Sequence, residues 1–260
     1  MMLVFLIALL SSAVGAICGI GGGVVIKPVM DMFRIDSVAA ISFLSGCTVL
    51  SMSCYTVGRA MLAGEGRGDV KTGTPLALGA ALGGLAGKAL FTAVKGLFQQ
   101  SDMVGAVQSA CLAVITLGTL AYTLCKARIH THRLTAPAAC CAVGLALGIC
   151  SSFLGIGGGP INLVVLYYFF SMDTRTAAAN SLYIILFSQL ASLLATLIAG
   201  TIPDLQLMML VWMIAGGIGG GIIGRACSRR MDDQAVEKFF MGLMGVIIAI
   251  SLFNCFRFAG

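Results

Sequence analysis

Charge is what this chain has least of. Only 10% of its 260 residues are Asp, Glu, Lys or Arg, against about 25% in a soluble domain. Histidine is confined to His130 and His132, and there is one tryptophan. The interiors of the membrane spans hold no obvious carboxylate. Ten cysteines are present, mostly inside those runs, but no C-x-x-C occurs and only Cys140 and Cys141 are adjacent. A cysteine in an apolar span acts as a small hydrophobe, so neither a disulfide framework nor a zinc site is expected. The H-x-H pair lies in a basic loop without a third ligand in view. An intramembrane serine protease needs a serine and a histidine facing each other within spans, and both histidines sit in one loop. The expectation is therefore no enzyme, no cofactor and no metal.

What the chain has instead is apolar surface. It is 59% hydrophobic, with a mean hydropathy of +1.02. Such a surface must face lipid, so the chain reads as a multi-pass protein of the cell inner (plasma) membrane. Met1–Cys18 has no basic residue before its apolar run and no small-x-small cleavage site, so it reads as a retained membrane segment. The net charge of +6 fits a positive-inside loop bias. No basic run is interleaved with aromatics, which speaks against nucleic acid as a partner.

Ten apolar segments follow one another: Met2–Cys18, Val24–Phe33, Val38–Val57, Thr74–Val94, Val104–Leu124, Ala136–Ser151, Ile161–Ser171, Ala177–Ala199, Gln206–Gly224 and Val236–Phe256. Six fit the roughly 20 residues that span a bilayer. The other four form two pairs, each flanking the string Gly-Ile-Gly-Gly-Gly, at Gly19–Gly23 and Gly155–Gly159. As one helix Met2–Phe33 would measure about 48 Å, too long for one crossing and suited to a hairpin that enters and returns.

The two halves repeat at an offset of 136 to 137. The strings match, Asp36 matches Asp173, and the ladder Gly79, Gly83, Gly87 followed by Lys88 matches Gly216, Gly220, Gly224 followed by Arg225. If each glycine-broken pair returns to its starting side, one face collects Arg59, Arg67, Lys71, Lys126, Arg128, Arg133, Arg175, Arg225, Arg229, Arg230 and Lys238. Lys27, Arg34, Lys88, Lys95 and Arg257 fall to the other. If each pair crosses once, the bias vanishes. The hairpin reading gives five segments per half, an odd number, so the second repeat is inverted and both ends lie outside the cytoplasm. The expected architecture is all-α and integral to the membrane: two inverted repeats, each a glycine-broken re-entrant hairpin plus three transmembrane helices. The first repeat is placed at 1–127, a basic cytoplasmic linker at 128–134 and the second repeat at 135–260.

A broken helix in lipid exposes backbone groups at a cost of several kcal/mol each. Two matching breaks in corresponding places point to a transport site. After Gly21, Gly22 and Gly23, and again after Gly157, Gly158 and Gly159, a half-helix begins. Its unpaired N–H groups and positive dipole end favour an anion. Pro160 fits a first helical turn, where its missing N–H costs nothing. Ser151, Ser152, Asn162, Asn180, Ser181 and Gln189, with Ser42, Ser45 and Thr48, are the polar candidates to complete the site. Most hydroxyls in membrane helices bond their own backbone; Asn180-Ser181 is the stronger signal. Lys27 either touches an anion or snorkels to the interface. Asp36 and Asp173 read as helix N-caps. The ladders, spaced by four, read as close helix packing, within the chain or at a homodimer seam.

The paired strings, with Pro28 after the first and Pro160 in the second, resemble the sulfite exporter TauE/SafE family of membrane permeases. The stretches Asp36–Ser45 and Asp173–Leu182 resemble the acid-then-small/polar stretch that follows each string there, and the likeness covers nearly the whole chain. It implies transport of small sulfur-containing anions such as sulfite, thiosulfate or organosulfonates. The residues it carries over are Gly19, Gly21, Gly22, Gly23, Pro28, Gly155, Gly157, Gly158, Gly159, Pro160, Asn180 and Ser181. Val164 stands opposite Pro28 and Ser42-Phe43 opposite Asn180-Ser181, so polar weight lies in the second half. The expected substrate-binding residues are Gly21, Gly22, Gly23, Gly157, Gly158, Gly159, Ser152, Asn180 and Ser181, in a secondary transporter whose partners are a small anion and the lipid bilayer. A channel-like anion facilitator and a carrier of a small carboxylate are the alternatives.

Overall fold

The computed structural model describes residues 1–64, 70–97, 101–126 and 129–259. Among them every regular element is an α-helix. In order these are α1 (Met2–Cys18), α2 (Gly23–Phe33), α3 (Val38–Leu62), α4 (Val70–Leu97), α5 (Ser101–Cys125), α6 (Pro137–Leu154), α7 (Pro160–Phe170), α8 (Thr174–Ile198), α9 (Leu207–Ser228) and α10 (Asp233–Ala259). Seven are long and apolar enough to cross a membrane: α3, α4, α5, α6, α8, α9 and α10. Large side chains such as Leu78, Val114, Val211 and Phe253 stand exposed on them. A soluble monomer rarely leaves so much apolar surface uncovered; against lipid it is the ordinary outer face. The protein is a multi-pass membrane protein.

One segment differs from its expected length. The sequence reads Ala136–Ser151 as short, yet α6 qualifies as a span. Ser152, Phe153 and Leu154 carry the helix on until Gly155 turns the backbone to φ 65. By contrast α1, with 17 residues, reaches about 25 Å, short of the roughly 30 Å hydrocarbon core. The two N-cap expectations part company. Asp173 does cap α8, accepting the Thr176 N–H at 2.9 Å. Asp36 lies one residue too early: Ser37 caps α3 through the Ala40 N–H, and Asp36 accepts the Ser37 N–H instead.

The largest interfaces join the N-terminal half to the C-terminal half: α1 packs on α9, α4 on α6, α3 on α9 and α4 on α8, with α5 on α10. Both glycine ladders lie in these seams. Gly216, Gly220 and Gly224 face the carbonyl oxygens of Phe5, Leu9 and Ala13; Gly79, Gly83 and Gly87 face those of Cys141, Leu145 and Ile149. A Cβ at any of the six would run into the opposing backbone. The two sets of partners are themselves 136 residues apart, so one seam reproduces the other.

The helix ends sort to two faces of the bundle. The His132 and Leu134 N–H groups donate to the Tyr168 and Phe169 carbonyls at 2.7 and 2.9 Å, so the chain entering α6 lies beside the end of α7. Ion pairs Arg175–Asp233 and Lys126–Glu237 stand on that face. On the other, Val4 and Ala8 of α1 share a buried cluster with Ile26 and Met30 of α2. There Arg34 pairs with Asp102 and Arg257 donates to the Met32 carbonyl. Arg67 and Arg128, two of the basic residues in the loop count, lie outside the described residues, as does the expected junction at 127 and 128.

Candidate functional site

Each string begins by ending a helix. Gly19 and Gly155 sit at φ 73 and φ 65, a left-handed conformation that closes a helix at little cost only in glycine. Gly19 packs on Ala178 of α8, and Gly155 on Ser42 of α3. The strings then meet. A Cβ at Gly21 would stand 3.3 Å from the Gly157 carbonyl oxygen, one at Gly158 would stand 3.0 Å from that of Ile20, and one at Gly23 would run into that of Ile156. Val49, halfway along α3, touches Gly21 and Gly157; Ile185, halfway along α8, touches Gly21 and Gly158. The contact is thus at mid-depth of the two helices that flank it.

From this junction α2 and α7 start outward. Neither N-cap, Gly22 or Gly159, offers a side-chain cap, and Pro160 opens α7 in its first turn. The full-length helices α3 and α8 are capped by Ser37 and Asp173. Asp173 is held below the usual carboxylate range by the Thr176 N–H that it accepts, against the opposing pull of desolvation.

Hydroxyl groups divide in the same way. Thr48, Thr56 and Thr196 donate to the carbonyl four residues back. Ser45 beside Gly23, Ser12 beside Gly22, and Ser151, Ser152 and Ser181 are buried with no hydrogen-bond partner on Oγ, as are both amide atoms of Asn162. A buried polar group left unmade costs about 1–3 kcal/mol, so the hydroxyls and the Asn162 Nδ2 are donors held in reserve, with the Asn162 Oδ1 a spare acceptor.

The family model described as Sulfite exporter TauE/SafE matches residues 4–252. The chain belongs to this family. Membership makes it a membrane permease for sulfur-containing anions in the broad sense and not an enzyme. No curated protein and no solved structure matches the chain at a significant level.

In this TauE/SafE protein the candidate residues do not all gather at one point. The glycines of the two strings are together, and Ser181 is fully buried on α8, on the stretch between Ala178, which packs on Gly19, and Ile185, which packs on Gly21 and Gly158. Asn180 spends its amide donor on the Thr176 carbonyl of its own helix at 2.9 Å, and its Oδ1 lies toward Gly73 of α4. Ser152 lines a separate small cavity with Gly155, Ser42 and Gln189. Lys27 does not snorkel: it is 2% exposed and pairs with Asp31, one turn on, at 2.7 Å. Asp31 is the embedded carboxylate that the sequence reading passed over, and its Oδ1 has no hydrogen-bond partner. Two further amides were missed. Gln108 donates to the Phe153 carbonyl in the last turn of α6, and Asn254 donates to the Pro28 carbonyl of α2. Both are amides inside apolar runs, the same signal that singled out Asn180, and both are buried.

Proposed function

We propose that this permease is a secondary transporter of small sulfur-containing anions such as sulfite, thiosulfate or organosulfonates, bound where the two glycine strings meet. One observation carries the reading: two half-helices start, without side-chain caps, from strings in contact at mid-depth. Their N–H groups and dipoles present partial positive charge to the same point. Gly21, Gly22, Gly23, Gly157, Gly158 and Gly159 supply the backbone, with Ser181, and Ser152 and Asn180 follow further out. The chain would be two inverted repeats, 1–127 and 135–260 with a linker at 128–134, each opening on a re-entrant hairpin. The exchange of partners between α1·α9 and α4·α6 supports this, as does the return of α7 to the start of α6. Alternating access follows from rocking one bundle against the other, in a cell inner membrane.

The test is uptake into proteoliposomes of sulfite, thiosulfate, sulfate and a small organosulfonate, with and without a pH gradient. Saturable flux of at least one is expected. Gly159 is the N-cap to alter, because its backbone is extended (φ 177) and a Cβ there meets only Ile156 Cδ1 at 3.4 Å. Gly159→Asp caps α7 with a negative charge and should abolish flux in folded protein; neutral Gly159→Ser should lower it less. Full flux in Gly159→Asp would remove the anion from this place. Asp31 bears on the mechanism. With a carboxylate inside α2, coupling to protons has a residue to use, and acceleration by the gradient would separate a coupled carrier from a facilitator.

A further inference from the structure

The two halves are alike in their seams and unlike at one cavity. Between α3, α4, α6 and α8 lies a space of about 30 Å³, lined by Lys88, Ser42, Ser152 and Gln189, with Ser192 and Thr196. No carboxylate is among its lining residues. Lys88 stands within the α4 span, with its ammonium over the Phe91 ring at 5.2 Å from the centroid. An ionisable residue inside a span is costly and is retained for a partner. Here no partner of opposite charge lines the cavity. Three of the other groups are donors in wait. Ser42 Oγ, Ser152 Oγ and Gln189 Nε2 have no hydrogen-bond partner, and Ser152 and Gln189 are 6% and 3% exposed. Gln189 turns its Oε1 to Gly46, which leaves the N–H side for the cavity.

The counterpart in the other half lacks the two hydroxyls and has its cation engaged. Ser42 packs on Gly155 as Ala178 packs on Gly19, so Ser42 answers to Ala178 and not to Asn180; at the repeat offset Ser152 becomes Ala16 and Lys88 becomes Arg225. Arg225 donates to the Thr56 carbonyl of α3 at 3.3 Å. One copy of the position is thus tied into the protein. The other keeps a cation, two hydroxyls and an amide facing one space beside Gly155, at the start of the second string.

We infer that Lys88, Ser42, Ser152 and Gln189 form a second anion site, a vestibule that holds a small oxyanion of a sulfur acid between one face of the bundle and the glycine junction. The inference rests on the permease reading above for its choice of ligand. The size of the cavity sets the class: it has room for about two waters, so it suits a compact ion and not an extended organosulfonate. Sulfite is the probe of choice, with sulfate for comparison and chloride to control for ionic strength.

The experiment is thermal unfolding of the purified full-length protein in detergent, titrated with each anion, alongside the uptake assay. Sulfite should raise Tm of the wild type saturably. Lys88→Met should need at least tenfold more sulfite for the same shift, Lys88→Arg should stay near wild type, and Lys95→Met, an exposed neighbour on α4, should not differ. If Lys88→Met fails to fold, the double change Ser42→Ala, Ser152→Ala carries the test, since alanine already stands at both equivalent positions. It too should weaken sulfite binding severalfold. Equal sulfite response in wild type and in these variants overturns the vestibule. If Gly159→Asp still abolishes flux, the junction reading stands without it. A wild type that no anion stabilises overturns the vestibule as well, and the uptake assay alone then decides the junction.

Discussion

Lys27 and Asp31 illustrate how a charge survives in lipid. One turn apart on α2, they are each 3% exposed in their side chains and 2.7 Å from one another. Removing one member of a buried pair leaves the other uncompensated, at about 3–5 kcal/mol, whereas replacing both by apolar residues can be neutral. Lys27→Met should therefore destabilise strongly, and adding Asp31→Leu should restore most of the loss; thermal unfolding of both variants checks this. If transport is coupled through Asp31, the double variant will be stable yet blind to the pH gradient. The sequence showed Lys27 but not its pairing, because an i, i+4 ion pair looks the same in a string of letters whether it lies in water or in a core. Asp36 was misread for a smaller reason. Two adjacent residues, Asp36 and Ser37, can both cap, and only the backbone decides which stands at the extended position before the first turn.

At the scale of helices the sequence was most legible. Glycines four apart lie on one face and admit a second backbone, and the six ladder glycines of α4 and α9 do face carbonyl oxygens of α6 and α1. Which helix they would meet was not legible, since spacing names a face and not a partner. The structure separates these glycines from others that look the same in sequence. A Cβ at Gly83 would run into the Leu145 carbonyl, whereas one at Gly118 on α5 meets nothing within 4 Å. Gly83→Ala should cost about 1–3 kcal/mol by overpacking. Gly118→Ala should be neutral or stabilising by up to about 1 kcal/mol. Unfolding midpoints of the two variants in one detergent give the comparison. The short half-helices were legible for a different reason. In α2 and α7 the glycine string, not a polar loop, marks the boundary, and hydropathy alone would have joined Met2–Phe33 into one helix.

For the whole molecule the loop charges and the segment count carry the topology. With single cysteines placed in a background stripped of the native ten, a membrane-impermeant thiol reagent should label positions 130 and 232 from one side, and positions 36 and 204 from the other. The positive-inside rule predicts the first pair on the cytoplasmic side. Labelling of positions 130 and 232 from opposite sides would refute the hairpin reading. The seams have a consequence for how such a chain is made. Helix α1 finds its main partner in α9, which begins at residue 207. At about 5–20 residues per second of synthesis, its glycine-lined mate emerges roughly 10 to 40 seconds later. Until then the carbonyl-bearing face of α1 has only lipid or the insertion machinery against it, and α4 waits in the same way for α6. The first half is an unfinished surface and not a folding unit. A ribosome stalled after α5 would leave behind five helices whose widest interfaces have no one to meet, an obvious target for membrane quality control.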